Sequence, residues 1–241
     1  ILRCLVGSEM CIRDSNMCRP LELVFANGMD KGVQVGIQTG DVTKMNTFDE
    51  FYDAYKKQME YCISLMVNAD NAIDVAHAER CPLPFLASMV DDCLTRGLTA
   101  EQGGAVYNFT GPQGFGIANM ADSLYAIRKL VYEDKKVSME TYKEALAWNY
   151  DKGLDERSVA DMAEMILKGM QDAGMTVNEG TAKAVLQTVM RLKPSDEQIQ
   201  KFTELHDMID EVPKFGNAID DVDYFARDVA YTYTCLLYTS P

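Results

Sequence analysis

The sequence predicts a predominantly helical chain with few strands. Apolar residues recur at helical spacing along most of its 241 residues, and the pairs Thr47 with Glu50 and Ser195 with Gln198 form capping boxes that mark helix starts. Alternating apolar and polar residues, which are typical of strands, are scarce, and residues 33–37 fit either a strand or an irregular loop. A hydrophobic fraction of 47% is ordinary for a globular protein and argues against disorder.

The first long helix begins at Thr47. Before it lies a short apolar segment, residues 21–25, which ends at Asn27-Gly28. After Thr47, one helix face carries Phe48, Phe51, Tyr52, Tyr55, Met59, Cys62, Ile63 and Met66. We expect this helix to continue through residues 72–76.

Prolines and glycines divide the middle of the chain into shorter helices. Pro82 and Pro84 end the long helix, because proline lacks a backbone N–H and restricts the residue before it. Another helix is predicted from Phe85 to Cys93, with its stop at Gly97. A later apolar stripe consists of Met120, Leu124, Ile127 and Val131.

Residues 138–193 predict three further helices. Ser138 can cap a helix that runs to about Tyr150, and a helix at residues 182–192 stops before Pro194. The helix between them, which ends near Gly174, carries Val159, Met162, Met165, Ile166 and Met170. Residues 151–193 are rich in methionine, alanine and charge, so we interpret them as a helical excursion on the surface.

Two helices complete the pattern. The helix that starts at Ser195 ends at Pro213, and Gly216-Asn217 leads into the last one. The apolar face of the Ser195 helix consists of Ile199, Phe202, Leu205 and Ile209, and that of the last helix of Ile219, Val222, Phe225, Ala226 and Val229.

Charge and cysteine content exclude several classes of protein. The net charge of −14 opposes binding to nucleic acid and docking on an anionic membrane, because both require lysine and arginine. The sequence contains no run of about 18 apolar residues, so no membrane span is expected. Away from the chain ends, Cys18, Cys62, Cys81 and Cys93 form no C-x-x-C pair and no disulfide spacing, which predicts reduced thiols in a cytoplasmic protein.

A glycine-rich segment, Gly111-Pro-Gln-Gly-Phe-Gly116, leads directly into a helical pattern. It lacks the G-K-[ST] of a phosphate-binding loop and the glycine order of a dinucleotide fingerprint. Glycine permits positive φ and close approach of other groups. We therefore predict a shaped loop that either holds a site or allows two elements to pass closely.

Few residues suggest catalysis or metal binding. His77-Ala-Glu79 matches part of a zinc deaminase pattern, but the paired cysteines are missing, so we expect His77 to be hydrogen-bonded between packed helices. Asp91-Asp92 and the acidic residues at 220–223 could bind a cation, but the second group suits a helix start. We assign no catalytic, cofactor-binding or metal-binding residue.

The two ends, residues 1–15 and 235–241, look like translated sequencing adapters. The alternative, a signal peptide at residues 2–12, is disfavoured by the charges of Arg3 and Glu9 and by the lack of a cleavage site. We therefore expect residues 16–234 to be the native part of the chain.

Three stretches carry a family resemblance: residues 76–93, residues 107–116 and residues 213–227. They resemble the glycyl radical enzymes, the pyruvate formate-lyase-like family, and most of all its glycerol dehydratase and choline trimethylamine-lyase branch. The resemblance extends from Asn16 to about Tyr233, so residues 16–234 are expected to be part of a pyruvate formate-lyase-like domain.

The resemblance implies an α/β fold, in which this chain would be a predominantly helical fragment of a ten-stranded α/β barrel. It implies a homodimer and a partner radical-SAM activating enzyme that places a radical on a glycine near the C-terminus. That glycyl radical oxidises a cysteine, the cysteine thiyl removes a hydrogen atom from a small polar substrate, and a carboxylate two residues further on acts as base. No bound cofactor is expected.

Departures from the family pattern limit what can be transferred. The family's G-C-V-E sequence is expected shortly before Asn16 and its R-V-x-G-Y sequence far beyond Thr234, and this chain contains neither. The thiyl role is therefore assigned to none of its cysteines, and this chain by itself is expected to be inactive. Pro20 is a further departure, at a point where the family begins a helix with apolar residues.

The resulting hypothesis is a fragment of a lyase that cleaves a C–O or C–N bond, as in a glycerol or diol dehydratase. The length of the excursion at residues 151–193 suggests an arylacetate decarboxylase instead, and a formate acetyltransferase type is a further alternative within the family. An alternative of another class is a non-enzymatic helical interaction module, because amphipathic helices with acidic outer faces suit that role too.

Overall fold

The computed structural model describes residues 12–107, 111–150, 156–190 and 194–239. Most of these residues are helical, which confirms the predominantly helical prediction. The helices are α1 (Cys18–Phe25), α2 (Phe48–Arg80), α3 (Pro84–Ala87), α4 (Cys93–Arg96), α5 (Ile117–Ile127), α6 (Met139–Ala147), α7 (Glu156–Asp172), α8 (Glu179–Val189), α9 (Asp196–Glu211) and α10 (Asp220–Thr239). The strands are β1 (Ile12–Asn16), β2 (Met29–Asp30), β3 (Val33–Gln34) and β4 (Gly111–Phe115).

The four strands form two separate pairs. Strands β1 and β4 are parallel, and β2 and β3 are antiparallel neighbours joined by a tight turn. The sequence of residues 33–37 fitted either a strand or a loop, and the structure contains both. Val33–Gln34 pairs as a strand, and the remaining residues of this range do not. Strand β1 includes residues 12–15 and α10 extends to Thr239, so both elements run beyond the predicted native range of 16–234.

The two predicted capping boxes differ in outcome. Ser195 and Gln198 exchange both bonds of the box at the start of α9, as predicted. At the start of α2, the Thr47 side chain accepts from the Glu50 N–H at 3.2 Å, which confirms the N-cap. The Glu50 carboxylate, however, accepts from the N–H of Asn46 at 2.8 Å and not from that of Thr47, so the reciprocal half of the box is displaced by one residue.

The hydrophobic core forms around α2. Its predicted face is buried at Phe51, Tyr55, Met59 and Ile63, each with no exposed surface. Around it lie buried residues of the neighbouring helices, which include Leu21, Val24, Met120, Leu124, Ile127, Tyr142, Phe202, Leu205, Val222 and Val229. Because these side chains come from α1, α5, α6, α9 and α10, one core joins elements from both ends of the chain.

The predicted helix from Phe85 to Cys93 is wrong as a single element. The chain forms two short helices, α3 and α4, because Asp92 takes a left-handed conformation (φ 68°) that a right-handed helix cannot continue. Gly97 (φ 67°) ends α4 in the left-handed conformation that favours glycine, as predicted.

The later helices agree with the sequence pattern. Ser138 caps α6 by accepting from the Thr141 N–H at 3.2 Å, Gly174 (φ 78°) follows the end of α7, and α8 ends at Val189. After Ile127, the α5 stripe continues into a wider π-helical turn, Arg128–Glu133, in which Leu130 is buried. Helices α7 and α8 share a small core of their own, made of Val159, Ala163 and Val189.

Much apolar surface between the second half of α2 and residue 107 is uncovered. Phe85 is 80% exposed, Leu94 is 74% exposed and Tyr107 is 77% exposed. Further exposed apolar residues of this region are Ile73, Val75, Leu86, Met89, Leu98 and Val106. Contiguous exposed apolar surface marks a place where something else packs. Among the described helices, none is both long enough and apolar enough to cross a membrane.

Burial along α2 predicts a contrast between two neighbouring aliphatic residues. Ile63→Ala removes a fully buried side chain, so we expect it to lower the free energy of unfolding by about 2–5 kcal/mol. Leu65→Ala, at a side chain that is 50% exposed, should cost less than about 1 kcal/mol. Urea unfolding of the chain followed by circular dichroism measures both, and equal losses would contradict the described orientation of α2.

The exposed apolar surface predicts binding of the dye anilinonaphthalene sulfonate (ANS), whose fluorescence rises on apolar surfaces. The triple change Phe85→Ser, Met89→Ser and Leu94→Ser should reduce the fluorescence several-fold without loss of helical circular dichroism, because these side chains are exposed. The same substitution type at Tyr238, which is 90% exposed on α10, serves as the control. Unchanged dye binding in the triple variant would show that this surface is covered.

Candidate functional site

The candidate ligand-binding region is the parallel strand pair of β1 and β4. The register aligns Ile12 with Gly111 and Asn16 with Phe115. Each strand leads at its carboxyl end into a helix, β1 into α1 and β4 into α5. In parallel α/β sheets, ligands bind beyond the carboxyl ends of the strands.

One face of this pair packs tightly against helices. A methyl group added at Gly114 would lie 3.0 Å from the sulfur of Met17 and 3.2 Å from the ring of Tyr233 in α10. The Tyr55 hydroxyl donates a hydrogen bond of 3.3 Å to the carbonyl oxygen of Met17, directly after β1. Residues from α2 and α10 therefore cover this face, and only glycine leaves room for them at position 114.

The prediction for the glycine-rich segment is half right. The close approach is present at Gly114, but residues 111–115 are a strand and not a loop. The shaped turn is confined to Gly116, whose φ of 83° lies in the left-handed region and allows the chain to leave β4 and enter α5.

The opposite face of β4 is open. The side chain of Gln113 is exposed, and Phe115 is 48% exposed. Asn16, which is paired with Phe115 and also exposed, accepts a hydrogen bond from the N–H of Cys18 at 3.0 Å. The carboxyl ends of both strands thus present polar and aromatic side chains away from the core.

Cys18 lies at the junction between the two carboxyl ends. Its sulfur is 3.9 Å from the carbonyl oxygen of Gly116, to which the thiol donates. Burial raises the pKa of the Cys18 thiol, and the Glu22 carboxylate raises it further. Cys18 is therefore a neutral thiol at pH 7 that connects α1 to the start of α5.

The acidic residues near α10 stabilise its first turn. Asp220, Asp221 and Asp223 lie in that turn, as the helix-start interpretation predicts. Asp221 accepts a hydrogen bond of 2.6 Å from the Tyr125 hydroxyl, and Asp223 accepts one of 2.9 Å from the N–H of Gly216. The pKa of Tyr125 is raised to about 12, mainly by burial and then by the hydrogen bond to the Asp221 carboxylate.

The other sequence candidates lie apart from the strand pair. His77 is half-buried in the last turn of α2. We expected its imidazole to be hydrogen-bonded between packed helices, but the described residues provide no such hydrogen bond. Asp91 and Asp92 are exposed in the turn before α4. Within the described residues, no three potential metal-ligating side chains lie together.

Two open clefts lie elsewhere on the surface. One, of about 520 Å³, lies between the start of α2, the π-helical turn and α10; its lining includes Phe48, Tyr132 and Phe225. The other, of about 620 Å³, lies between the turn after α1 and α7, and its lining includes Lys143 and Glu164. Charges of both signs line each cleft, so neither selects an ionic ligand of one sign.

Comparison with known proteins identifies the family. A sequence model of the family described as pyruvate formate lyase-like matches residues 5–238. The chain belongs to this family. The resemblance inferred from residues 76–93, 107–116 and 213–227 is therefore confirmed.

Two solved structures are similar to this chain over most of its length. The chain is 53% identical, with a TM-score of 0.86, to a structure described by 1,2-propanediol dehydration in Roseburia inulinivorans, and the match covers 94% of this chain and 27% of that chain. It is 36% identical, with a TM-score of 0.68, to the B12-independent glycerol dehydratase from Clostridium butyricum, covering 92% of this chain and 22% of that one.

Curated relatives give the same family at lower identity. The chain is 37% identical over 138 residues to trans-4-hydroxy-L-proline dehydratase from Clostridioides difficile, a match that covers 56% of this chain. It is 34% identical over 151 residues to (2S)-3-sulfopropanediol dehydratase from Klebsiella oxytoca, covering 61% of this chain. The chain spans 18% of the length of each of these two relatives.

The close packing at Gly114 predicts opposite effects for two glycine substitutions. Gly114→Ala forces the added methyl group against Met17 and the Tyr233 ring, so we expect a loss of about 1–3 kcal/mol in the free energy of unfolding. Gly169→Ala in α7 meets no atom within 4 Å and should stabilise the chain by about 0.5–1 kcal/mol. Chemical denaturation measures both, and a neutral Gly114→Ala would contradict the described packing.

Proposed function

We propose that this chain forms part of a glycyl radical dehydratase that removes water from a small vicinal diol. The observation that carries this proposal is the 53% identity, over 94% of this chain, with the structure described by 1,2-propanediol dehydration. The glycerol dehydratase match supports the same substrate class, because glycerol is also a vicinal diol.

The strand pair supports a larger α/β barrel around this chain. Parallel strands occur almost only in sheets that are covered on both faces, and two strands alone are marginally stable. Here β4 is covered on the Gly114 face and open on the Gln113 face. A barrel of ten strands, as the family resemblance implies, would complete the sheet and enclose the open face.

The proposed chemistry follows the family resemblance. A cysteine sulfur of the intact protein takes a hydrogen atom from a substrate carbon, the adjacent C–O bond breaks with loss of water, and the hydrogen atom returns to the product radical. A carboxylate two residues beyond that cysteine acts as the base. None of the seven cysteines of this chain has the Gly-Cys-x-Glu context, so the proposal places the reactive cysteine outside this sequence.

The proposal includes partners and a compartment. A radical-SAM activating enzyme would form the glycyl radical, and the intact protein would be a homodimer in the cytoplasm. The present chain would contribute β1, β4 and their helices to the wall of the substrate cavity.

The alternative of an independent interaction module is weighed against the same comparison. Phe85 and Leu94 are 80% and 74% exposed, together with several apolar neighbours between residues 73 and 107. Such a surface suits either the remaining chain of a larger protein or a separate partner, so exposure alone does not separate the two classes. The 53% identity with the structure described by 1,2-propanediol dehydration, over 94% of this chain, favours part of an enzyme over a module.

The activity can be tested with the full-length protein that contains this chain. We expect anaerobic treatment with the activating enzyme and S-adenosylmethionine to give a glycyl radical signal in electron paramagnetic resonance (EPR), and 1,2-propanediol to be converted to propanal. Residues 16–234 alone, treated in the same way, should give no radical signal.

Each outcome tests a separate part of the proposal. A radical without propanal would contradict the diol as substrate, and a search with amines or arylacetates would then be indicated. Full-length protein that never forms a radical would contradict the glycyl radical chemistry. A radical signal in residues 16–234 alone would contradict the inactivity of this part.

A further inference from the structure

Strand β4 has two faces of different character. Gly114 lies against Met17 and Tyr233, so this side of the strand is fixed on the helices. Because side chains alternate along a strand, the neighbours Gln113 and Phe115 lie on the other side, where both are exposed. The tight contact at Gly114 therefore determines where Gln113 and Phe115 point.

Their position along the strand is equally defined. Phe115 is the last residue of β4 and pairs with Asn16, the last residue of β1. Helices α1 and α5 begin within two residues of these strand ends. The open face of Gln113 and Phe115 thus lies at the carboxyl ends of two adjacent parallel strands, where α/β folds bind their ligands.

The side chains differ in what they offer a ligand. The side-chain oxygen of Asn16, Oδ1, already accepts a hydrogen bond from the Cys18 N–H. The Gln113 amide makes no hydrogen bond within the described residues and has both a donor and an acceptor. The Phe115 ring, 48% exposed beside it, offers an apolar surface. An amide next to an aromatic ring suits a small molecule with hydroxyl groups on a short carbon chain.

We propose that Gln113 binds a hydroxyl group of the substrate and that Phe115 contacts its carbon chain, so that this pair contributes to substrate specificity. The inference rests on the proposed diol dehydratase function and adds two residues on the open face of β4 to it. Gln113 binds the substrate in the ground state and takes no part in the radical steps. Its loss therefore affects KM more than kcat.

The test uses the full-length, activated enzyme with 1,2-propanediol. Gln113→Leu keeps the approximate size of the side chain and removes its hydrogen-bonding groups, so KM should rise about 3- to 10-fold, as for the loss of one neutral hydrogen bond. The kcat per glycyl radical should stay within about twofold of the wild-type value. The matched control is Gln187→Leu on α8, where the side chain is also exposed and KM should not change.

A second variant tests the same role if Gln113→Leu does not fold. Gln113→Glu keeps the length of the side chain but cannot donate a hydrogen bond when ionised, so its KM should rise as well. If both variants carry normal radical content and the wild-type KM, the role of Gln113 is overturned while the proposed function stands. If the wild-type enzyme itself forms no radical, the proposed function fails, and EPR detects this independently of KM.

Discussion

A pair of parallel strands needs cover on both faces, and the cover of β1 and β4 on one face joins helices that are far apart in sequence. Helices α2, which ends at Arg80, and α10, which begins at Asp220, meet at the covered face of β1 and β4. Gly114 makes their approach possible, because any larger side chain would displace the sulfur of Met17 or the ring of Tyr233. The hydrogen bond from Tyr55 to the carbonyl of Met17 fixes α2 to the same junction.

Local features made most helices predictable. Caps at Ser138 and Ser195 and the left-handed glycines Gly97 and Gly174 act within a few residues, so the sequence reveals them directly. Apolar spacing identified the buried face of α2 for the same reason. Asp92 was missed because a left-handed non-glycine residue is uncommon and leaves no pattern in the flanking apolar residues.

The strand pair was not predictable from local sequence. Residues 111–115 contain two glycines and a proline, which have low strand propensity, and their partner strand lies nearly 100 residues earlier. The glycines did predict a close approach, but its partners, Met17 and Tyr233, depend on the folded chain. The open face of Gln113 and Phe115 could be recognised only once the register and the position of Gly114 were known.

Helices α7 and α8 have a core separate from the main one, built on Val159, Ala163 and Val189. Changes in the length of this helical hairpin, formed by α7 and α8, would therefore leave the packing around α2 intact. Such a unit can lengthen, shorten or diverge among homologues at little energetic cost to the scaffold. This independence makes the hairpin a natural place for evolution to add features that distinguish one member of the family from another.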